Sequence, residues 1–493
     1  MAYRIIRKTA MNRARHQSGL VIALWLPTAF LALPGGCRHQ TEPSSAPAVS
    51  GKTDPRKTAG EERPTPADAA ATTEISHEQD WYRAWQSGET ASGAAIPEPW
   101  PEIFQALTGS QAALEFDPQG RLIGVDMASR RRVGGDAEIL AAVRIPHLRR
   151  LAVSGFGVTP EGVRRLTACT ALEELALENT KIDDAALADL ASLPHLRSLN
   201  LRRSVNLTDA ALETLTRFPK LEQLYLHDNG FSADALAQLA SLPNLRLLDL
   251  RGCPGVGAEV LNKLCRLPRL SDLRLRGYTI DDACMVAVAN CRHLSAFTLE
   301  EAAVTGEGLA RLADLPLSSL TLYKCFSIRE DDLAVLATLP SLTRLTLRDM
   351  PLRGDFLRHL SGASQLTELR LYQTMVGDNI AESLRNLKSL RRLDLSKTLI
   401  GDSGLAAAAE LPALRELLLA ETMVTDQGVS ALSQLPELEV LDLSGNIGVS
   451  DRAIAALQAM PKLRAVFPDG TSITREGLGA MGDRAKASLP PTE

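Results

Sequence analysis

The chain has 493 residues, 45% of them apolar and only 4% aromatic, with 54 basic against 59 acidic side chains. That net acidity argues against nonspecific nucleic-acid binding, so no nucleic-acid partner is expected. The sequence holds no His-Glu-x-x-His, no Cys-x-x-Cys and no phosphate-cradling Gly-x-x-x-x-Gly-Lys, so neither an enzyme nor a cofactor or metal site is expected.

Residues 1–36 carry Arg4, Arg7, Lys8, Arg13 and Arg15 and no acidic residue. An apolar stretch from Leu20 to Leu33, broken by Pro27, then runs into Leu33-Pro34-Gly35-Gly36-Cys37. A basic segment ahead of an apolar run too short to span a bilayer comfortably is the layout of an export signal. This one resembles a bacterial lipoprotein signal, in which the cysteine becomes the lipidated first residue. The resemblance implies lipidation at Cys37 and an extracytoplasmic, membrane-anchored protein of the cell envelope. Pro34 stands where such signals usually have an aliphatic residue; plain secretion and a retained anchor helix are the alternatives. Loss of residues 1–36 removes five basic side chains, leaving 49 against 59 acidic ones.

Residues 37–76 are rich in Thr, Pro, Ser and Ala, with almost no large apolar residue. Such a segment cannot bury enough surface to fold and reads as a disordered tether. Residues 77–121 gather Trp81, Tyr82, Trp85, Trp100 and Phe104, and Asp117-Pro118-Gln119-Gly120 is a strong hairpin turn between Ala113–Phe116 and Leu122–Val125. The segment reads as an N-terminal cap, with an aromatic ligand site as the other possibility.

From residue 122 to 482 the chain repeats itself. A Leu-x-x-Leu-x-Leu phrase starts at Leu148, Leu172, Leu196 and onward to Leu463, in steps of 23 to 25 residues. Within Leu172–Pro194, Leu175 and Leu177 are two apart and point to one side of a strand. Asp183-Asp184 offers carboxylates to a first helical turn, and Leu187, Leu190 and Leu193 follow at helical spacing until Pro194 stops the helix. Three residues after the last strand leucine stands a small polar residue or cysteine, such as Thr180, Ser204, Asn229 or Cys253, suited to bonding backbone groups at the turn. In the four 25-residue repeats the added residue falls in this turn. One unit cannot bury its own apolar side, but stacked units can. The expected fold is an α/β solenoid with a parallel concave sheet of about 14 strands, convex helices and a disordered tail at 483–493.

These phrases resemble leucine-rich repeats of the ribonuclease-inhibitor-like superfamily. Leu248-Asp249-Leu250-Arg251-Gly252-Cys253 and Val424-Thr425-Asp426-Gln427-Gly428 resemble its cysteine-containing subtype, best known from the substrate-binding half of F-box proteins. Only Cys253 and Cys325 keep the turn cysteine, and no F-box-like helical segment precedes the repeats. Gly401-Asp402-Ser403-Gly404 spells the loop around some serine nucleophiles, but it occupies the repeat slot of a helix start. Without Cys37, six cysteines remain. Their repeat positions favour buried free thiols over disulfides, and Cys284 with Cys291 suits a bridge poorly.

Outward strand positions form columns along the sheet. Arg202, Tyr225, His227, Arg251, Arg274, Arg276, Tyr323, Arg348, Arg370 and Tyr372 cluster there on an otherwise acidic protein. Arginine and tyrosine are enriched at interaction hot spots, so these ten are the candidate partner-binding residues. The partner would be an acidic protein or an anionic glycan. The competing reading is a solvated charge ladder in which Asp249, Asp272, Glu300 and Glu368 neutralise the arginines. The function expected is a monomeric, noncatalytic protein-protein interaction scaffold, lipid-tethered at the envelope. The alternative is a cytosolic substrate-recognition adaptor resembling the repeat half of F-box ubiquitin-ligase proteins.

Overall fold

The computed structural model describes residues 77–87, 96–128 and 134–486. The export signal, Cys37 and the tether lie outside the described residues. The strands are β1 (Ala113–Phe116), β2 (Leu122–Asp126), β3 (Arg150–Ser154), β4 (Glu174–Glu178), β5 (Ser198–Asn200), β6 (Gln223–Tyr225), β7 (Leu247–Asp249) and β8 (Asp272–Arg276). They continue as β9 (Ala296–Glu300), β10 (Ser319–Tyr323), β11 (Arg344–Arg348), β12 (Glu368–Arg370), β13 (Arg392–Asp394), β14 (Glu416–Leu418), β15 (Val440–Asp442) and β16 (Ala465–Phe467). They form one open sheet in chain order, so the fold is the expected α/β leucine-rich repeat solenoid. The strand number is sixteen rather than about 14, because β2 follows the repeat template one step early and β1 pairs antiparallel to it.

Register follows the leucines. Leu175 pairs with Leu199 and Leu320 with Leu345, so the inward leucines of successive strands stack in rows. Leu175, Leu177, Leu187 and Leu190 are all buried. Each such side chain contributes about 2 kcal/mol when removed from water. The turn residues do what their chemistry allows. Asn229 donates to the carbonyls of Leu201 and Leu226 (2.9 and 2.8 Å), and the Cys253 thiol donates to Leu226 O (3.1 Å). In the 25-residue repeats the added residue is accommodated within a closed turn, as in Leu207 N–H to Ser204 O (3.0 Å).

The helix starts lock each repeat to the next. Asp183 caps its own helix at Ala186 N (2.8 Å), while Asp184 reaches the following repeat at Thr208 N (2.9 Å). Asp402 likewise accepts from Thr425 N and Thr425 Oγ1 (2.8 and 2.6 Å). Gly428 is thereby explained: a Cβ there would lie 2.3 Å from Asp402 Oδ1. The Gly-Asp-Ser-Gly phrase is thus a helix start whose carboxylate is committed to the neighbouring repeat.

At the first edge, α1 (Glu78–Ser87) and α2 (Trp100–Gly109) pack an aromatic cluster. Tyr82 meets Phe104 at 5.2 Å and Trp100 meets Phe104 at 5.4 Å between ring centroids. At the far edge, Gly482–Arg484 form a short turn and Lys486 N–H donates to Val466 O (2.8 Å). Residues 483–486, which composition assigns to the tail, thus cover part of the last strand. Among the described residues no helix is long and apolar enough to cross a membrane.

Candidate interaction surface

Strand alternation puts all ten candidate residues on the outward side of the sheet. Nine are half-buried; His227 is buried, at 6% exposure. It therefore belongs to the base of the surface rather than to its contact layer. Burial first, and then the positive charge of Arg251, lowers the His227 pKa to about 4. His227 Nε2 lies 3.2 Å from Asp228, but a neutral imidazole makes this a polar contact and not an ion pair.

Between β6 and β9 the arginines are spoken for. Arg251 binds Asp249 through Nε and Nη2 (2.7 Å for the latter) and reaches across β8 to Glu300 (2.8 Å). Arg274 pairs with Asp272 (2.8 Å), and Arg276 pairs with Asp228. Three guanidiniums meet four carboxylates, so this patch presents no net positive charge. Burial opposes the charge of Asp249, yet the Arg251 hydrogen bonds and charge outweigh it and hold the carboxyl below its usual range. Arg274 also lies over the Tyr225 ring, 5.9 Å from its centroid. Arg370 pairs with Glu368, and Arg202 sits 3.9 Å from Glu178. The four acids of the charge-ladder reading are all engaged by arginines.

Arg348 differs. It stands in the same repeat column as Arg251 and Arg276, but its column neighbours are Tyr323 and Tyr372. Its guanidinium lies between the two rings, 5.0 and 4.9 Å from their centroids. Lys324 lies over Tyr323 (5.0 Å) and Lys397 over Tyr372 (5.5 Å), extending the alternation of cation and ring. Such stacking contributes about 0.5–2 kcal/mol per pair and leaves the hydrogen-bonding edge of the guanidinium unused. Among the described residues no carboxylate is within ion-pair reach of Arg348, and its buried Nε has no hydrogen-bond partner. The arrangement leaves the Arg348 guanidinium without a carboxylate partner, so that it can donate to an incoming anionic group.

Asp228, Lys324 and Lys397 were not among the candidates. They occupy the next column, where the backbone is left-handed in every repeat from Gly155 to Gly470 (φ 60°, 53° and 58° at these three). A left-handed non-glycine residue costs about 1 kcal/mol. The ladder continues through it, as in Asp228 N–H to Arg251 O (2.9 Å), and offsets that cost. The recurrence of glycine at 155, 252, 277, 445 and 470 is the sequence signal for this column.

The thiol expectation divides. Cys169, Cys253, Cys284 and Cys325 are free and buried, and burial raises the thiols of Cys253 and Cys325 to about 12 and about 11. Cys265 and Cys291, expected as free thiols, form a disulfide with Cα atoms 4.4 Å apart. Their separation of 26 residues is close to one repeat period, so stacking brings the two together. Among the described residues no group of three or more His, Cys, Asp or Glu could hold a metal ion.

The leucine-rich repeat family matches at residues 386–407, the segment spanning β13. No curated protein sequence matches the chain. Among solved structures it is similar to an internalin (InlF) from Listeria monocytogenes, at 20% identity over 74% of this chain and 94% of that one, with a TM-score of 0.43. It is similar also to the TLR13 chain of a TLR13–ssRNA13 complex, at 19% identity over 71% of this chain and 50% of that one (TM-score 0.44). A third similarity is to a chain of the yeast Rad7–Elc1 complex, at 19% identity over 65% of this chain and 86% of that one (TM-score 0.43).

Proposed function

We propose that the chain is a noncatalytic protein-interaction scaffold whose sheet face docks an acidic segment of a partner protein at Tyr323, Arg348 and Tyr372. The observation that carries this reading is the unpaired guanidinium of Arg348 between two rings, on a face whose other arginines are largely neutralised. A carboxylate arriving there gains charge-assisted hydrogen bonds without first breaking an ion pair. Solenoids commonly bind along the sheet side, where helices wider than strands force the curvature inward.

We propose further that residues 37–76 tether a monomeric solenoid, capped by 77–121, to the cell envelope through lipid on Cys37. The Cys265–Cys291 disulfide supports an oxidising compartment, since such bonds are rare in the cytosol. The cytosolic adaptor reading is the weaker for the same reason.

The test is capture from the native cell envelope with the full chain, beside Arg348→Met and the control Arg311→Met, an exposed arginine on the short helix Ala310–Leu312, away from the sheet. A partner held by wild type and control but lost by Arg348→Met is expected. Equal capture by all three would remove the sheet-face reading, and release of the partner by glycan digestion would make the ligand a glycan. Metabolic labelling with a radioactive fatty acid should mark the wild type and not Cys37→Ala; an unlabelled wild type would end the lipid-anchor reading.

A further inference from the structure

A second surface, apart from the sheet face, runs along the turns that follow the strands. Phe326, Pro351, Met375, Leu399, Met423 and Ile447 occupy one repeat position in six consecutive repeats. All six are exposed, the five other than Pro351 by 44–81%. Isolated exposed leucines need no explanation, but an unbroken row of large apolar side chains does; a patch on the order of 500 Å² is the size that marks interaction sites.

The row is held in register by the backbone. Met375 N–H donates to Leu352 O (2.9 Å), Leu399 N–H to Val376 O (2.8 Å) and Met423 N–H to Ile400 O (3.0 Å). The turns therefore stack as a ladder, and the side chains rise into a ridge with a step of about 4.8 Å, the spacing of neighbouring strands. The inward anchors Val376, Ile400 and Val424 are buried next to each ridge residue, so the ridge cannot fold down into the core.

Three or four positions beyond the ridge residues come Asp355, Asp378, Asp402, Asp426 and Asp451, exposed or half-exposed at successive helix starts. Over the middle repeats, at Asp378, Asp402 and Asp426, this flank is acidic; toward its ends the exposed Arg353 and Arg452 offset Asp355 and Asp451. The other flank mixes signs: Lys324 lies near Glu301 and Asp349, and Lys397 near Glu421.

We propose that this ridge docks an amphipathic helix of a partner protein, carrying one apolar side chain per turn and Lys or Arg along one flank. Spacing selects the helix. A helix advances about 5.4 Å per turn, within about 0.6 Å of the ridge step, whereas same-face side chains of an extended strand are about 6.7 Å apart and lose register after two repeats. Charge selects the basic flank and disfavours the other occupants. An antiparallel second copy would set the acidic flank against itself, and an anionic membrane surface would be repelled by it. The proposal goes beyond the sheet-face reading and does not depend on Arg348.

The test uses the full chain and a synthetic helical peptide with leucine once per turn and lysine on one flank. Beside it stand a scrambled peptide of the same composition and a lysine-to-glutamate version. Saturable binding of the first is expected, with a loss of at least about tenfold for the scrambled peptide and for the variant Leu399→Glu/Met423→Glu. These positions are exposed, and an unchanged melting curve would show that the variant folds. Arg348→Met should bind the peptide as the wild type does. Equal binding of the scrambled or glutamate peptide, or by the double variant, would overturn the proposal. So would self-association of the wild type, or its binding to anionic vesicles, that the double variant abolishes.

Discussion

Arg251 and Arg348 occupy the same column of the sheet, four strands apart, and live in opposite surroundings. Around Arg251 the acids come from two directions, Asp249 on its own strand and Glu300 two strands on, with the neutral His227 nearby. Around Arg348 the column neighbours are tyrosines and the adjoining outward residue is Thr346. The first guanidinium is structural, because its charge is consumed within the sheet. The second is available, because rings hold it without neutralising it. A column of arginines is therefore not a uniform docking strip, and what surrounds each one decides its role.

The contrast can be broken first at Asp249. Asp249→Ala should destabilise the solenoid by about 3 kcal/mol, read from urea denaturation, because it strips a largely buried guanidinium of its bidentate partner. The paired change Asp249→Leu with Arg251→Met should cost less than Asp249→Ala alone, since it leaves no unpaired charge at that pair. A larger loss for the double variant would mean that the network is valued for its hydrogen bonds to Glu300.

His227 tests the same patch through pH. Its ordinary pKa is near 6.5 and its value in the fold is about 4. Between the two, the unfolded chain binds a proton that the folded chain does not. Its contribution to stability is thus complete above about pH 6.5 and lost as the pH falls toward 4. From pH 6.5 to 5 the wild type should lose about 2 kcal/mol more stability than His227→Asn. Identical pH profiles would place the histidine in solvent.

At the other patch the order of effects should invert. Arg348→Met should cost about 1–2 kcal/mol of folding stability, less than Asp249→Ala, because two ring contacts are lost but no ion pair is broken. Affinity for the captured partner should nevertheless fall about tenfold, as measured by titration of the purified pair. Raising salt should weaken the wild type's binding more than the variant's. Last, Cys253 and Cys325 should resist a thiol reagent at pH 8 until the chain is unfolded, since burial keeps them protonated. Rapid labelling of either in the native state would show that the repeats beside the Arg251 network or the tyrosines open readily.

Much of this molecule is legible along the chain. The leucine phrase sets the strand positions from β3 to β16, Asp-Asp, Gly-Asp and Thr-Asp pairs mark the helix starts, and the small polar residues after each strand announce their bonds to the turn carbonyls. The hairpin of β1 and β2 was announced by Asp117-Pro118-Gln119-Gly120; less legible was Cys265–Cys291, because Cys291 shares the slot of Cys169 while Cys265 lies off it. The left-handed column went unread because only some repeats place glycine there, while Asp228, Lys324 and Lys397 adopt the same backbone under the pull of inter-repeat hydrogen bonds.

The period of the leucines by itself determined the architecture, because apolar side chains at those spacings can be buried only by stacking one repeat on the next. Which arginine is free was decided by tertiary structure alone. Arg276 meets Asp228 across 48 residues and Arg251 meets Glu300 across 49, two repeats away in each case. Strands about 4.8 Å apart let a guanidinium reach over its nearest neighbour to the strand beyond. Pairing on this surface is thus set by side-chain reach between repeats, and no reading of a single repeat contains it.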